Sequence, residues 1–259
     1  MQWPLPQFPT RMDVEYASLF TGSPNVKGSW ETISFSIPFE VGWVSVNTPN
    51  VIAAASTDTR VCLDLAVGST VVLENLLLGH RLQRPTCFPL RLPADATLRG
   101  RVSGAQSAAL VNVQVALYGG EPDSGLAAPS RITTYGASAS GGTPFSVGVG
   151  NQSGWIQLTS STTSPIHALM VAVQGPSGTG MSTSEFSLDI AVGPSGSERL
   201  ILRDLLFRTD SGRGAVFPAS PDFHPLSTTI PAGSRLAARA TWWAEGSAAG
   251  QVAVYGSTY

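Results

Sequence analysis

Residues 61–67 read VCLDLAV. Val61, Leu63, Leu65 and Val67 fall on one parity, and Cys62, Asp64 and Ala66 on the other. Residues 186–192, FSLDIAV, repeat the pattern with Phe186, Leu188, Ile190 and Val192 against Ser187, Asp189 and Ala191. In VNVQVALYG, residues 111–119, Val111, Val113, Val115 and Leu117 alternate with polar or small neighbours. A period of two with one apolar face predicts half-buried antiparallel strands. No segment carries a convincing 3.6-residue apolar stripe, so the pattern predicts an all-β chain. Gly68 and Val71 flank only Ser69 and Thr70, which reads as a tight hairpin. The matching Gly193 and Leu200 flank residues 194–199. An insertion costs little at a hairpin tip, because loop-closure entropy grows slowly with length.

The resemblance between these segments extends outward. GWVSV (42–46) matches GWIQL (154–158), and VVLENLLL (71–78) matches LILRDLLF (200–207). FPLRLPADATLRGRV (88–102) matches HPLSTTIPAGSRLAARA (224–240), and VALYG (115–119) matches VAVYG (252–256). Blocks recurring in one order predict an internal duplication, with copy one at residues 38–120 and copy two at 150–259. Short strands at this spacing predict two tandem antiparallel β-sandwiches. A jelly roll is the preferred topology; periodicity does not separate it from an immunoglobulin-like one.

Two segments fall outside the repeats. Residues 121–149 are rich in Gly, Ser, Ala and Pro and read as a linker, with RITTY (131–135) as a strand it can donate. Residues 1–37 read as an extended N-terminal arm that becomes strand-like at SWETISFSI. The arm holds Trp3, Phe8, Tyr16 and Phe20, with prolines at 4, 6 and 9. Proline lacks the ladder donor and holds the chain extended. These four aromatics are the candidate docking residues. The arm either docks on a particle or neighbouring subunit, or folds back and seals an edge strand of copy one.

Composition narrows the function classes. Apolar residues make up 42% of the chain, but charged residues only 12%, about half the usual share in soluble proteins. A formal charge of −2 gives no basic footprint for nucleic acid. No apolar run is long enough to span a membrane, and the N-terminus lacks the charged and apolar regions of a secretory signal. Cys62 and Cys87 are too few for a disulfide framework, and whether they pair is open.

Catalytic signatures are missing. There is no G-x-S-x-G elbow and no P-loop. His80, His167 and His224 lie in separate segments with no ligand spacing, so neither a metal nor a cofactor is expected. A sandwich glycosidase needs two carboxyls across one bond. Asp64 and Asp189 recur singly, on the outward parity, so a surface ion pair or a turn-stabilising hydrogen bond is their expected role. Trp43 and Trp155 fall opposite the apolar faces of their segments. Either parity breaks at the strand start, or each Trp packs outside its own sandwich. In RLAARATWWAEG, Trp243 shares a face with Arg235 and Arg239. These three are the candidate recognition surface, able to stack a sugar ring or anchor an interface. Trp243 covering its own sheet edge is the competing role.

The blocks LDIAVGPSGSERLILRDLL, HPLSTTIPAGSRLAARA and the terminal VAVYG resemble a β-sandwich module in virion proteins of tailed bacteriophages and gene transfer agents. In that family the module occurs in head-decoration, head-spike and tail-fibre components. Copy one departs from it, with LPADATLRGR in place of IPAGSRLAAR. The resemblance implies a virion structural protein, assembled in the host cytoplasm and decorating or projecting from the head. It implies other virion proteins as partners, a homo-oligomer, and no enzyme activity. A tail fibre recognising host polysaccharide is one alternative, and a free carbohydrate-binding module or glycosidase is another.

Overall fold

The alternating segments form strands. The computed structural model describes residues 11–52, 60–78, 86–105, 109–119, 128–148, 150–174, 184–209, 215–216, 223–242 and 248–258. Among them every regular element is a strand. The first half contains β1 (Arg11–Phe20), β2 (Glu31–Ser34), β3 (Val41–Ile52), β4 (Val61–Val67), β5 (Thr70–Leu78), β6 (Thr86–Leu92), β7 (Leu98–Gly104) and β8 (Leu110–Gly119). Then follow β9 (Ile132–Tyr135), β10 (Ala137–Ser138), β11 (Gly141–Val147), β12 (Ile156–Thr159), β13 (Ile166–Gln174) and β14 (Ser184–Val192). The last are β15 (Arg199–Thr209), β16 (Ala215–Val216), β17 (His224–Ile230), β18 (Leu236–Trp242) and β19 (Ala248–Ser257).

In the first half one sheet has the order β1-β8-β3-β6 and the other β2-β7-β4-β5. In the second half the orders are β11-β19-β13-β17 and β12-β18-β14-β15. Eight strands crossing in this way between two facing sheets make a jelly roll. The two halves match strand for strand. Their turns match as well. Asp95, at φ 60°, takes the left-handed conformation that Gly233 takes at φ 81°. Asp tolerates that region, so the departure of LPAD from IPAG leaves the turn intact. Asp95 N–H donates to Ile37 O and Gly233 N–H to Thr162 O, each at 2.8 Å.

This order moves the expected boundaries. Residues 11–20 are not a free arm: β1 pairs with β8 along its whole length, from Arg11 opposite Gly119 to Phe20 opposite Leu110. Prolines 4, 6 and 9 lie upstream of this strand, so nothing in it interrupts the ladder. Residues 121–149 are not a linker throughout, since they contain β9, β10 and β11. Pro144 is accommodated in β11 opposite Gln251; β10 pairs only with Gly141 and Gly142 on the other side, so at Pro144 the strand has one neighbour. The match of GWVSV to GWIQL is also corrected. GWVSV lies in β3, whereas GWIQL leads into β12, whose counterpart is β2. The segment equivalent to GWIQLT is therefore SWETIS.

The second half contributes to the first half's core as well as to its own. Ala168, Met170, Ala172, Ala253 and Tyr255 point away from the second half's own core and join the first one. The Tyr255 hydroxyl accepts from Leu77 N–H at 2.8 Å and donates to Asn75 O at 3.1 Å. Gln174 Nε2 donates to Val61 O at 3.2 Å and Leu78 O at 2.9 Å. The Phe88 and Tyr255 rings meet edge-on at 6.4 Å. β9 continues the seam by pairing with β19 and bridging Leu73 of β5 through Ile132. This contact explains why β13 is buried on both parities instead of half-buried. The second core has its own centre, where Phe186 stacks with Phe207 at 5.3 Å and Trp242 at 5.9 Å.

Cys62 and Cys87 are not joined in a disulfide. Burial, then the neighbouring Asp64 charge, pushes the Cys62 thiol up to about 12 from its ordinary 9.0. Burial likewise raises the Tyr255 phenol. The folded chain thus keeps protons that the unfolded chain releases above about pH 9 and 10. Stability is full below pH 9 and falls as pH rises, by about 1.4 kcal/mol per pH unit for each group in its window. Denaturant midpoints measured across this range should fall in that way, and Cys62→Ala should remove the portion that begins near pH 9. A midpoint flat up to about pH 11 contradicts the burial of both groups.

Candidate functional site

Asp64 and Asp189 build the same local structure in the two halves. In the β4–β5 ladder, Leu63 pairs with Leu76 and Leu65 with Leu73, so Glu74 and Asn75 together oppose Asp64. In β14–β15, Leu188 pairs with Leu205 and Ile190 with Leu202, so Arg203 and Asp204 oppose Asp189. Each is a β-bulge, which removes an amide from the ladder and bends the strand. The bulged residues Asn75 and Asp204 are left-handed, at φ 50° and 51°. The opposing carboxylate takes up the freed amide: Asn75 N–H donates to Asp64 Oδ1 at 2.8 Å, and Asp204 N–H to Asp189 Oδ1 at 2.9 Å.

The second carboxylate oxygen binds an arginine. Arg101 Nε donates to Asp64 Oδ2 and Arg239 Nε to Asp189 Oδ2, both at 2.8 Å. A tryptophan closes each clamp. Trp30 lies over the Arg101 guanidinium at 4.3 Å and Trp155 over that of Arg239 at 4.4 Å. The cation–π contact and the ion pair fix the guanidinium from two sides. The halves differ in one respect. Asp64 has a second cation, Lys27 Nζ at 2.5 Å, while Arg239 is the one cation within salt-bridge distance of Asp189 among the described residues.

These carboxylates face outward by parity, as expected, but they are not surface groups: the Asp64 side chain is 1% exposed and that of Asp189 6%. Their oxygens are spent on a backbone amide and a guanidinium. The arrangement can pin a bulge and hold β2 or β12 to its sheet.

The candidate docking residues divide. Tyr16 and Phe20 lie on β1 and are 69% and 55% exposed, beside Met12 at 60%. Trp3 and Phe8 lie outside the described residues. So does Trp243, as do most of the long second-half segments QGPSGTGMST and TDSGRGAVFPASPD. Arg235 is held by Glu198 Oε1 at 3.1 Å, Gly193 O at 3.1 Å and Gln157 Oε1 at 3.0 Å. Arg239 is committed to Asp189 and Trp155. Both candidate arginines therefore serve the fold. Trp43 is buried, and Trp155 packs on Arg239, so the two tryptophans compared in the sequence have different roles. The sequence singles out neither Arg101 nor Lys27 nor Trp30 of the first clamp, although Trp30 leaves a trace. Its signal was a Trp one position before a short strand in both SWETIS and GWIQLT. Among the described residues no cluster of three or more His, Cys, Asp or Glu is placed to hold a metal.

The strand order defines the class: an all-β protein of two jelly rolls in tandem. No family model and no curated protein matches the chain. Similar solved structures include the major capsid protein P2 of bacteriophage PM2, with a TM-score of 0.35 and 8% identity over 94% of this chain and 98% of that one. An infectious bursal disease virus Gx strain structure has a TM-score of 0.24 and 12% identity over 95% and 72%. The tandem CBM22 domain of Paenibacillus barcinonensis Xyn10C has 0.23 and 10% over 95% and 91%. At these scores the assignment of fold rests on the strand order itself.

Proposed function

We propose that this chain is a structural protein of a virus particle, decorating or projecting from the head of a tailed phage or phage-like particle, and that it is not an enzyme. The observation carrying this reading is that both halves are welded into one body, with their recurring carboxylates locked inside clamps. A body of this kind presents surfaces, and Asp64 and Asp189 are each committed to an amide and an arginine of their own half rather than paired with one another. The sequence blocks of the second half support it through their resemblance to phage virion modules, and the apolar stripe of Met12, Tyr16 and Phe20 supplies an attachment surface. Its partners are other virion subunits. The test is to purify particles from the producing culture on a density gradient and quantify the chain by mass spectrometry. Copy number near that of the main shell subunit is expected for decoration, and a few copies for a spike or tail part. A chain absent from the particles overturns the reading.

A further inference from the structure

The contact between the halves uses two surfaces, and each half possesses both. The second half contributes the outer face of β13 and β19; the first contributes β5, flanked by Val61 of β4 and Phe88 of β6. The matching surfaces, the outer face of β3 and β8 in the first half and β15 in the second, are not used by that contact.

Register fixes which residues correspond. Ala116 and Tyr118 stand where Ala253 and Tyr255 stand in β19, and Asn47, opposite Gln114, stands where Gln174 stands opposite Gln251. Asp204 and Leu206 stand where Asn75 and Leu77 stand around the bulge. Burial differs sharply between the members of these pairs. Leu77 is 1% exposed and Leu206 is 62%. Leu73 and Leu76 are buried, whereas Leu202 and Leu205 are only partly covered. Tyr255 is fully buried and Tyr118 half-buried.

The unused surfaces are also where apolar side chains meet water. Met12, Tyr16 and Phe20 line the rim of the first, and Leu200 and Leu206 lie on the second. The first holds a recess of about 150 Å³ bordered by Met12, Asn47, Gln114, Ala116 and Tyr118. Asn47 Oδ1 is buried there with no hydrogen-bond partner. A monomer gains nothing from apolar groups grouped on two such faces.

We infer that a second copy of this chain docks head to tail, repeating the internal contact between molecules. β15 of one copy lies against the outer face of β1-β8-β3-β6 of the next. Tyr118 then bonds the partner's Leu206 N–H and the carbonyl of the partner's Asp204, as Tyr255 bonds Leu77 and Asn75. Such a contact joins two different faces, so it builds a closed ring or an open filament according to its rotation. The inference deepens the reading as a particle subunit by naming a partner and the surface that binds it.

The full chain and two single variants test it by multi-angle light scattering and sedimentation. Ala116→Arg blocks one face and Leu206→Arg the other; Leu206 is exposed and Ala116 half-buried in the wall of the recess, and melting curves equal to the native one confirm folding. The native chain should show a mass above one copy. Each variant alone should be monomeric, with affinity reduced on the order of 30-fold or more. An equimolar mixture should form a one-to-one dimer, because one intact face of each kind remains. The contact is refuted if the native chain stays monomeric at about millimolar concentration, if either variant keeps the native mass, or if the mixture stays monomeric. Head-to-tail association by a chain absent from particles would refute the particle reading alone; a monomeric chain found in particles would refute the contact alone.

Discussion

Replacing Arg239 with leucine is expected to destabilise the protein by about 3–5 kcal/mol, because it strands a buried carboxylate. Asp189 would keep its hydrogen bond from Asp204 N–H but have no cation within salt-bridge distance among the described residues. The same change at Arg101 should cost only about 1–2 kcal/mol, since a compensating charge survives. Lys27 stays on Asp64 Oδ2. Each leucine also loses its contact with a tryptophan, so that loss is common to both and cancels in the comparison. Urea unfolding of the two variants side by side measures the difference. Equal costs would mean that Lys27 does not neutralise Asp64. A further change of Lys27 to Met in the Arg101→Leu background should restore the larger cost.

The second large effect is at Tyr255. Tyr255→Ala should cost about 3–5 kcal/mol, the range for emptying a fully buried aromatic site. Tyr255→Phe keeps the ring but leaves Leu77 N–H buried without its acceptor, and should cost about 1–3 kcal/mol. The matching Tyr118→Ala, at a half-buried site packed on the first core, should cost less, about 1–2 kcal/mol of monomer stability. A small effect at Tyr255 would show that the halves do not rely on each other. Thermal and denaturant unfolding of the three variants at concentrations too low for association decide it.

The sequence shows some of this architecture plainly and hides the rest. Alternation in VNVQVALYG is legible because β8 has one face in a core and one open. IHALMVAVQ is less legible: β13 is covered on both sides, and a strand covered twice carries apolar residues on both parities. The correspondence between the halves is visible at β4 and β14, CLDLAVG against SLDIAVG, where bulge and core constrain every residue. It was not visible at β1, β2 and β11. Edge strands carry less of the core, so GGTPFSV and the residues of β1 keep no common pattern. A shared Gly-Trp pair then drew GWVSV onto the wrong partner. The clamp was half legible. The recurrence of Asp64 with Asp189, and of Asn75 with Asp204, marked the positions, but Arg101 and Trp30 reach Asp64 only through pairing between strands remote in sequence. Residue spacing carries no record of that pairing.

The hydrogen bond between Tyr255 and Leu77 spans 178 positions of chain. A ribosome adding about 5–20 residues per second therefore makes β5 roughly 10–35 s before it can make the strand that covers it. Through that interval Leu73, Leu76 and Leu77 are without their final cover while the rest of the first half is already able to form. Synthesis thus leaves an apolar flank uncovered for that interval, a surface on which growing chains can associate before β19 emerges.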